Sequence, residues 1–211
     1  MKALVLCADQ WHPADIPRRG LGALEDSGFR FDFLENMDNW TPENLFAYPL
    51  VILAKANDAS QENLSGWMTE SVQTAFAEYV RAGNGLLAIH AGTAGYENTP
   101  ILRALLGGVF RHHPEQCPVT VLLQAGHPLT EGVAPFTLRD EHYFMSLDDS
   151  SAEVFLHTQS EHGEQPGGWR RGEGSGRVAV LTPGHNLQVW LHASFQALLR
   201  NNIRWCCGNS C

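Results

Sequence analysis

One segment of this sequence places a histidine where an enzyme would display a catalytic side chain. The segment Gly85–Tyr96 reads GLLAIHAGTAGY, so an apolar run ends at His90 and a turn of small residues follows. A strand, a tight turn and then a helix form the elbow that presents the nucleophile of many hydrolases. His90 stands where a serine or cysteine would be expected. We therefore predict a catalytic site that lacks its usual nucleophile.

Two more of the ten histidines follow apolar runs in the same manner. His12 comes shortly after the run KALVLC, and His185 follows VAVLTPG. Ligands bind open α/β sheets at the carboxyl ends of the strands, where the connecting turns lie. If the three runs are neighbouring parallel strands, His12, His90 and His185 reach one pocket, and this is the arrangement we expect.

Further candidates lie in two polar segments. His112 and His113 follow LLGGVFR, and one of the two could face the pocket while the other faces solvent. In DEHYF, Asp140 or Glu141 could face His90 as a general base or metal ligand, or the segment could be a solvated acidic loop. A structural or surface role is expected for His127, His157, His162 and His192.

The elements that position these residues alternate in the first half of the chain. Four short apolar runs predict strands, at 2–7, 29–34, 50–53 and 86–89. Four helices are expected between or after them, at 17–27, from 41 onward, around 72–80 and at 100–106. This alternation calls for a parallel sheet with right-handed crossovers.

The second half contains few helical patterns before its end. Its strand candidates are 119–123, 136–138, 143–145, 154–157 and a hairpin of 169–170 with 178–181. A last helix is expected around 191–205. We predict one domain over residues 1–211, with a doubly wound, mostly parallel α/β core, a β-rich extension and a closing C-terminal helix.

Composition excludes several function classes. The chain has 14 Lys and Arg against 23 Asp and Glu, a net charge of −9, without the basic patch of a nucleic-acid or membrane-surface binder. No apolar run approaches the roughly 18 residues of a membrane span, and the N-terminus has too few apolar residues before Asp9 for a signal peptide. A cytoplasmic location is therefore expected.

The five cysteines are odd in number and irregular in spacing, which argues against a disulfide framework. Cys206, Cys207 and Cys211 form a terminal cluster without a second ligand pair for a structural zinc. Reduced thiols are the expected state.

The ordered motifs add up to a family resemblance that covers nearly the whole chain. They are GNGLLAIHAGTAGY, LLGGVFRHHP, HPLTEGV, DEHYF, GRVAVLTPGHN and FQALLRNNIRWCCG. Together they resemble the ThuA-like (trehalose utilisation) family, which is similar in fold to the class I glutamine amidotransferase superfamily. The resemblance implies a flavodoxin-like α/β/α sandwich, in agreement with the element order.

The comparison with amidotransferases also shows what is missing. Their elbow nucleophile is a cysteine, whereas this chain has His90. His185 matches their catalytic histidine, but Leu187 stands where their acid lies. Cys7 and Cys117 do not lie on an elbow. An imidazole cannot form the thioester on which glutamine hydrolysis depends, so glutaminase activity is not expected.

The resemblance implies a role in the catabolism of trehalose and related disaccharides, including oxidised keto-sugar intermediates. His90 and His185 are candidate acid and base, with Glu141 as their partner, because imidazoles exchange protons near neutral pH. An isomerase, lyase or hydrolase of keto-sugars would use such groups. The alternative is a non-catalytic carbohydrate-binding or scaffold module, since a fold alone does not supply a function.

Side chains near these histidines fit a small carbohydrate ligand. Trp11 and Tyr96 could stack on a pyranose, while His12, His113 and Glu141 could bond its hydroxyl groups; Tyr143 belongs to the same expected set. Three imidazoles, with or without Glu141, could also hold a divalent metal, zinc or manganese. A homodimer is the expected assembly for a small α/β enzyme.

Overall fold

The computed structural model describes residues 1–24, 28–38 and 40–208. Eleven strands lie in these residues. They are β1 (Lys2–Cys7), β2 (Arg30–Leu34), β3 (Leu50–Ala54), β4 (Gly85–Ile89), β5 (Gly108–His112), β6 (Cys117–Leu123), β7 (Phe136–Asp140), β8 (Phe144–Leu147), β9 (Glu153–Ser160), β10 (Gly163–Glu173) and β11 (Gly176–Leu181). The helices are α1 (Asp15–Gly22), α2 (Glu70–Arg81), α3 (Pro100–Leu106), α4 (Leu187–Leu191) and α5 (Ala193–Cys206).

Within this part of the chain, nine strands form one sheet in the order β2-β1-β3-β4-β11-β10-β9-β6-β7. The first five are parallel, and the remaining four add antiparallel. The parallel half has the flavodoxin-like order, in which the second strand lies outside the first. β5 and β8 pair separately as a small antiparallel sheet. The fold is α/β, as predicted.

Helices cover both faces of the parallel half of the sheet, and this burial explains why its central strands are apolar. Every residue of β3 and β4 is buried, so both strands are apolar throughout instead of alternating with polar residues. One face packs under α1, α4 and α5, the other under α2 and α3. The carboxyl ends of β1, β3, β4 and β11 consequently meet along one edge of the sheet.

The local sequence of α2 shows how an element of this core is specified. Thr69 caps its first turn by accepting a hydrogen bond from the Val72 N–H. Phe76, Tyr79 and Val80 lie on its buried face at helical spacing. Arg81 occupies the last turn, where a cation interacts favourably with the helix dipole.

Several predicted elements differ from the structure. The first helix ends at Gly22, and residues 25–27 of its predicted span lie outside the described residues. Residues 42–47 form a 3-10 turn instead of an α-helix, and β5 was not predicted. The last helix, predicted around 191–205, is confirmed as α5, whereas the short α4 before it was not predicted. His192 has an extended backbone between the two helices, and its imidazole accepts a bond from the Ser194 N–H.

The predicted hairpin of β10 and β11 is confirmed, with Glu173 paired to Gly176 at its turn. In the described residues, no helix is both long and apolar enough to cross a bilayer. Cys211 lies outside the described residues, and no disulfide joins the described cysteines Cys7, Cys117, Cys206 and Cys207.

Candidate functional site

Three loops at the carboxyl edge of the sheet bring His12, His90 and His185 together. The loops follow β1, β4 and β11, in that order. The ring centroids of His12 and His90 are 5.2 Å apart, those of His12 and His185 are 5.2 Å apart, and those of His90 and His185 are 5.5 Å apart. Residues separated by up to 173 positions in the chain thus form one cluster, because their strands are close neighbours in the parallel half.

The elbow that carries His90 is a tight and strained turn. The backbone φ of His90 is 46°, in a left-handed region that costs a non-glycine residue roughly 1–2 kcal/mol. Two residues later, a Cβ atom on Gly92 would lie 1.9 Å from the Leu53 carbonyl oxygen, so the turn packs directly against the end of β3. The imidazole is fixed by a 2.7 Å hydrogen bond between His90 Nδ1 and the Thr182 carbonyl oxygen.

Asp9 orients His12 from below. Its fully buried carboxylate lies 2.7 Å from His12 Nδ1 and accepts backbone N–H bonds from Trp11, His12 and Ala56. Burial would raise the pKa of Asp9, but the bond from His12 and the backbone N–H groups outweigh it, and the pKa is lowered. The ionised carboxylate holds the Nδ1–H tautomer of His12, which leaves a lone pair on Nε2.

Glu141 lies between the histidines. Its Oε2 atom is 3.3 Å from His90 Nε2 and 3.2 Å from His185 Nδ1, and its Oε1 atom is 3.5 Å from His113 Nε2. Burial acts to raise the pKa of Glu141, but the imidazoles of His185 and His90 outweigh this effect and hold it well below its usual range. Glu141 is therefore a carboxylate at neutral pH.

The neighbouring acid, Asp140, has a structural role. Its buried carboxylate accepts the backbone N–H groups of Gly184, His185 and Asn186, and so fixes the loop that presents His185. Burial raises its pKa to about 6, against the effect of these hydrogen bonds. Of the two acids in DEHYF, Glu141 faces His90 and Asp140 supports the His185 loop.

The environment shifts the two flanking histidines in opposite directions. Burial lowers the pKa of His90 to about 4, although the contact with Glu141 opposes this shift, so His90 is neutral. The Glu141 carboxylate raises the pKa of His185 above its ordinary value, against partial burial. Of these two histidines, His185 is therefore the one that is easier to protonate.

Three nitrogen atoms of the cluster make no hydrogen bond to any described residue. They are His12 Nε2, His90 Nε2 and His185 Nδ1, and all three are buried. The His90 and His185 atoms lie at ion-pair distance from Glu141, but not in the orientation of a hydrogen bond. His12, His90, Glu141 and His185 each offer one ligand atom, and these atoms lie within 4.8 Å of one another.

A pocket of about 500 Å³ opens above the cluster. Trp11 stands at its wall with 68% of its surface exposed, and Tyr143 stacks on His90 with ring centroids 3.9 Å apart. The pocket is large enough for a small sugar and combines aromatic walls with a polar floor, as carbohydrate sites require. Its lining residues are Trp11, His12, Ala56, Ala94, Phe110, His113, Glu141, Tyr143 and His185.

The structure separates the residues that sequence reasoning grouped together. His113 faces the pocket, whereas His112 is exposed and stacks on Phe144. Tyr96 is fully buried, and its hydroxyl donates to the Lys55 carbonyl oxygen, so the stacking role expected for it does not fit its position. Its side chain turns into the core under the elbow instead of toward the pocket.

Several contributing residues were not identified from the sequence. Phe110 lines the pocket, and Thr182 fixes His90 through a backbone carbonyl that has no sequence signature. Asp9 did carry a signal, because it lies three residues before His12 in the loop that ends a buried strand. His127 is buried and bonds Leu129 and Glu153, in line with the structural role expected for it.

Comparisons with known proteins agree with this architecture. A ThuA-like protein from Bacteroides uniformis superposes with a TM-score of 0.76 at 22% identity, covering 98% of this chain and 91% of that one. A ThuA-like protein from Parabacteroides merdae superposes with a TM-score of 0.76 at 17% identity, covering 99% of this chain and 90% of that one. A cytoplasmic protein from Salmonella typhimurium has a TM-score of 0.72 at 14% identity, with 98% and 99% covered. These likenesses show the fold alone.

A comparison with curated proteins found no match. The family model described as trehalose utilisation matches residues 2–206, which is nearly the whole chain. The chain therefore belongs to the ThuA (trehalose utilisation) family.

Proposed function

We propose that this protein is an enzyme of sugar catabolism that acts on a disaccharide or on a keto-sugar derived from one. Its reaction is histidine-mediated proton transfer next to a keto group, leading to isomerisation or elimination. Membership of the trehalose utilisation family supports the substrate class. The observation that carries the chemistry is the cluster of His90, Glu141 and His185 at the floor of a pocket with aromatic walls.

His185 is the proton donor of this proposal. It lines the pocket, and the Glu141 carboxylate raises its pKa, which favours the protonated form that a donor needs. The negative charge of Glu141, 3.2 Å from His185 Nδ1, stabilises that form. His90 is buried behind both, beneath Tyr143, and acts through Glu141 as a positioning residue.

His113 is the proton acceptor. Its Nδ1 atom bonds the Pro114 carbonyl oxygen at 2.7 Å, which leaves the lone pair on Nε2, and the ring lines the pocket. In the reaction, the C–H bond beside the keto group breaks, and His113 takes the proton. The electron pair forms the C=C bond of an enol as the keto oxygen takes a proton from His185.

The enol can then react in two ways, isomerisation or elimination, and both return the protons that were taken. In isomerisation, His113 returns its proton to the former keto carbon, and the hydroxyl group of the neighbouring carbon loses its proton to His185 and becomes the new keto group. In elimination, the enol O–H returns its proton to His185 and the C=O bond re-forms. The electron pair of the enol C=C bond then forms a C=C bond to the next carbon, and the glycosidic oxygen leaves that carbon with the proton of His113. Neither outcome requires a covalent intermediate, which accords with an elbow that carries an imidazole instead of a thiol.

The aromatic residues bind and orient the sugar. Trp11 presents an exposed indole to the pocket, and Tyr143, which also lines the pocket, is fixed by stacking on His90. The hydroxyl groups of a pyranose leave its C–H faces apolar, so such rings stack on them. The protein acts on a free small molecule in this proposal, in the cytoplasm, where the Salmonella relative is placed by its description.

The test follows solvent deuterium into the sugar. Trehalose and a keto derivative made by oxidising one of its secondary hydroxyl groups are incubated with the protein in D₂O and analysed by NMR. We expect deuterium incorporation or elimination with the keto derivative. His185→Ala and Glu141→Gln should slow this about 10²–10⁴-fold, the usual contribution of acid–base groups. His162→Ala, which removes an exposed histidine outside the pocket, is the matched control.

Two results would contradict the proposal. Binding of the sugar without exchange or product would instead support a non-catalytic carbohydrate-binding module. Undiminished turnover by a folded His90→Ala variant would remove the cluster from the chemistry.

A further inference from the structure

The unusual feature of the cluster is that three buried imidazole nitrogen atoms and a carboxylate converge without a hydrogen bond among them. The Asp9 carboxylate and the Thr182 carbonyl can only accept hydrogen bonds. Nδ1 of His12 and Nδ1 of His90, which contact them at 2.7 Å, therefore both carry hydrogen. In each neutral ring the lone pair is left on Nε2, on the side that faces the cluster.

The lone pair on His90 Nε2 has the strongest need for a positively charged partner. His90 is only 2% exposed, and its Nε2 atom lies 3.3 Å from Glu141 Oε2. Two electron-rich atoms repel each other at this distance in a buried site, unless a positive charge lies beside both. His12 Nε2 faces the same point, and so does His185 Nδ1. One cation at the centre satisfies all four atoms.

The surroundings hold the side chains as metal sites do. Metal-binding histidines typically donate their other ring N–H to a carboxylate or a backbone carbonyl, which fixes the ring and raises its basicity. His12 does this with Asp9, and His90 does it with Thr182. Asp140 fixes the backbone of His185 through its N–H group. Three of the four candidate ligands are thus oriented in advance.

The spacing is compatible with a single ion after small movements. The ligand atoms lie within 4.8 Å of one another. Tetrahedral bonds of about 2.0–2.2 Å place ligand atoms about 3.4 Å apart, so the widest pair must approach by roughly 1 Å. Side-chain rotations supply such a shift for Glu141 and His185, which are partly exposed at the pocket.

We propose that His12, His90, Glu141 and His185 bind one divalent transition-metal ion of the zinc class. Three imidazoles and one carboxylate suit zinc, cobalt or nickel, whereas magnesium and calcium prefer all-oxygen sites. Manganese binds such nitrogen-rich sets more weakly than zinc does.

The position of the site gives the ion a role, and this step rests on the proposed function. His12, Glu141 and His185 line the pocket, so a further coordination position faces the sugar. There the ion would polarise the keto oxygen in place of the proton of His185. His113 is outside the ligand set and remains the proton acceptor.

Metal binding is measured without any sugar, so its failure is distinct from failure of the proposed function. Protein purified without a histidine tag and stripped with a chelator is titrated with Zn²⁺ by calorimetry. Co²⁺ is then added, and the visible spectrum reports the geometry of the bound ion. We expect one equivalent of Zn²⁺, a tetrahedral or five-coordinate Co²⁺ spectrum, and no binding of Mg²⁺.

Variants assign the ligands. Glu141→Gln, which keeps the shape of the side chain, and His185→Gln should each weaken Zn²⁺ binding by more than about 100-fold, beyond the effect of an outer-sphere partner. His162→Ala, which removes an exposed histidine outside the pocket, should leave it unchanged. Binding that is absent in the wild type, or that survives Glu141→Gln and His185→Gln in folded protein, would overturn the proposal.

Discussion

Replacing Asp9 with asparagine should weaken both the fold and the centre, because one buried carboxylate accepts four hydrogen bonds. Oδ1 accepts from His12 Nδ1 and from the backbone N–H groups of Trp11 and His12, and Oδ2 accepts from that of Ala56. Asparagine keeps one acceptor oxygen and places an NH₂ group at the other position. In either orientation a buried donor then faces another donor.

The less damaging orientation keeps Oδ1 and loses the bond from Ala56. An unsatisfied buried N–H group costs about 1–3 kcal/mol. The three remaining bonds lose their charge assistance, which adds about 1 kcal/mol. We therefore expect the free energy of unfolding to fall by about 2–4 kcal/mol. Because the neutral amide holds the His12 tautomer less firmly, the affinity for Zn²⁺ should fall about 10–100-fold.

The assay is urea unfolding followed by circular dichroism, with calorimetric Zn²⁺ titration of the same samples. Asp15→Asn is the matched control, since Asp15 is exposed on α1, where its carboxylate lies 3.5 Å from the exposed guanidinium of Arg19. Its effect on stability should stay within about 0.5 kcal/mol. An Asp9→Asn variant that matches the wild type in both measurements would refute the role we assign to this carboxylate.

Three further predictions concern other parts of the molecule. Gly92→Ala should prevent folding or lower the melting temperature sharply in a thermal scan, because its Cβ would lie 1.9 Å from the Leu53 carbonyl oxygen. Gly22→Ala is the control and should be neutral, because a Cβ there would have nothing within 4 Å. Equal melting temperatures for the two variants would contradict the packing of the elbow. Burial lowers the pKa of Lys55 to about 8, so above that pH the unfolded chain binds more protons than the folded one. The stability of the wild type relative to Lys55→Met should accordingly rise by up to ~1.4 kcal/mol per pH unit, until the pH reaches the pKa of lysine in the unfolded chain, near ~10.4. Urea titrations at several pH values measure this difference in stability. A difference that stays constant with pH would contradict the burial of the amine. Trp11→Ala should raise the KM for a keto-sugar while leaving the melting temperature unchanged, because Trp11 is 68% exposed at the pocket; an unchanged KM would exclude stacking.

The parallel half of the fold could be predicted because burial on both faces leaves a plain pattern. β3 and β4 are continuous apolar runs, and each is bounded by polar or small residues. β5 was missed because its sequence GVFRH has only two buried residues and no clear alternation. The helix α4 was missed because its five residues, LQVWL, are too few to show a helical period.

The candidate site could be predicted in part for the same reason. His12, His90 and His185 each follow a buried strand, so their meeting depends only on strand order. The choice between Asp140 and Glu141, or between His112 and His113, depends on which way one side chain points at the end of a strand. Sequence periodicity does not determine this where a strand ends in a loop. Tyr96 was misplaced for that reason.

The most direct test of the centre as a single unit is a long-range ¹H–¹⁵N spectrum of the histidine rings during Zn²⁺ titration. We predict that His12 and His90 are neutral Nδ1–H tautomers at the start. Their Nε2 signals should then shift together with the Nδ1 signal of His185, and the change should be complete at one equivalent. Signals that move independently of one another, or Nε2–H tautomers for His12 and His90, would contradict the account.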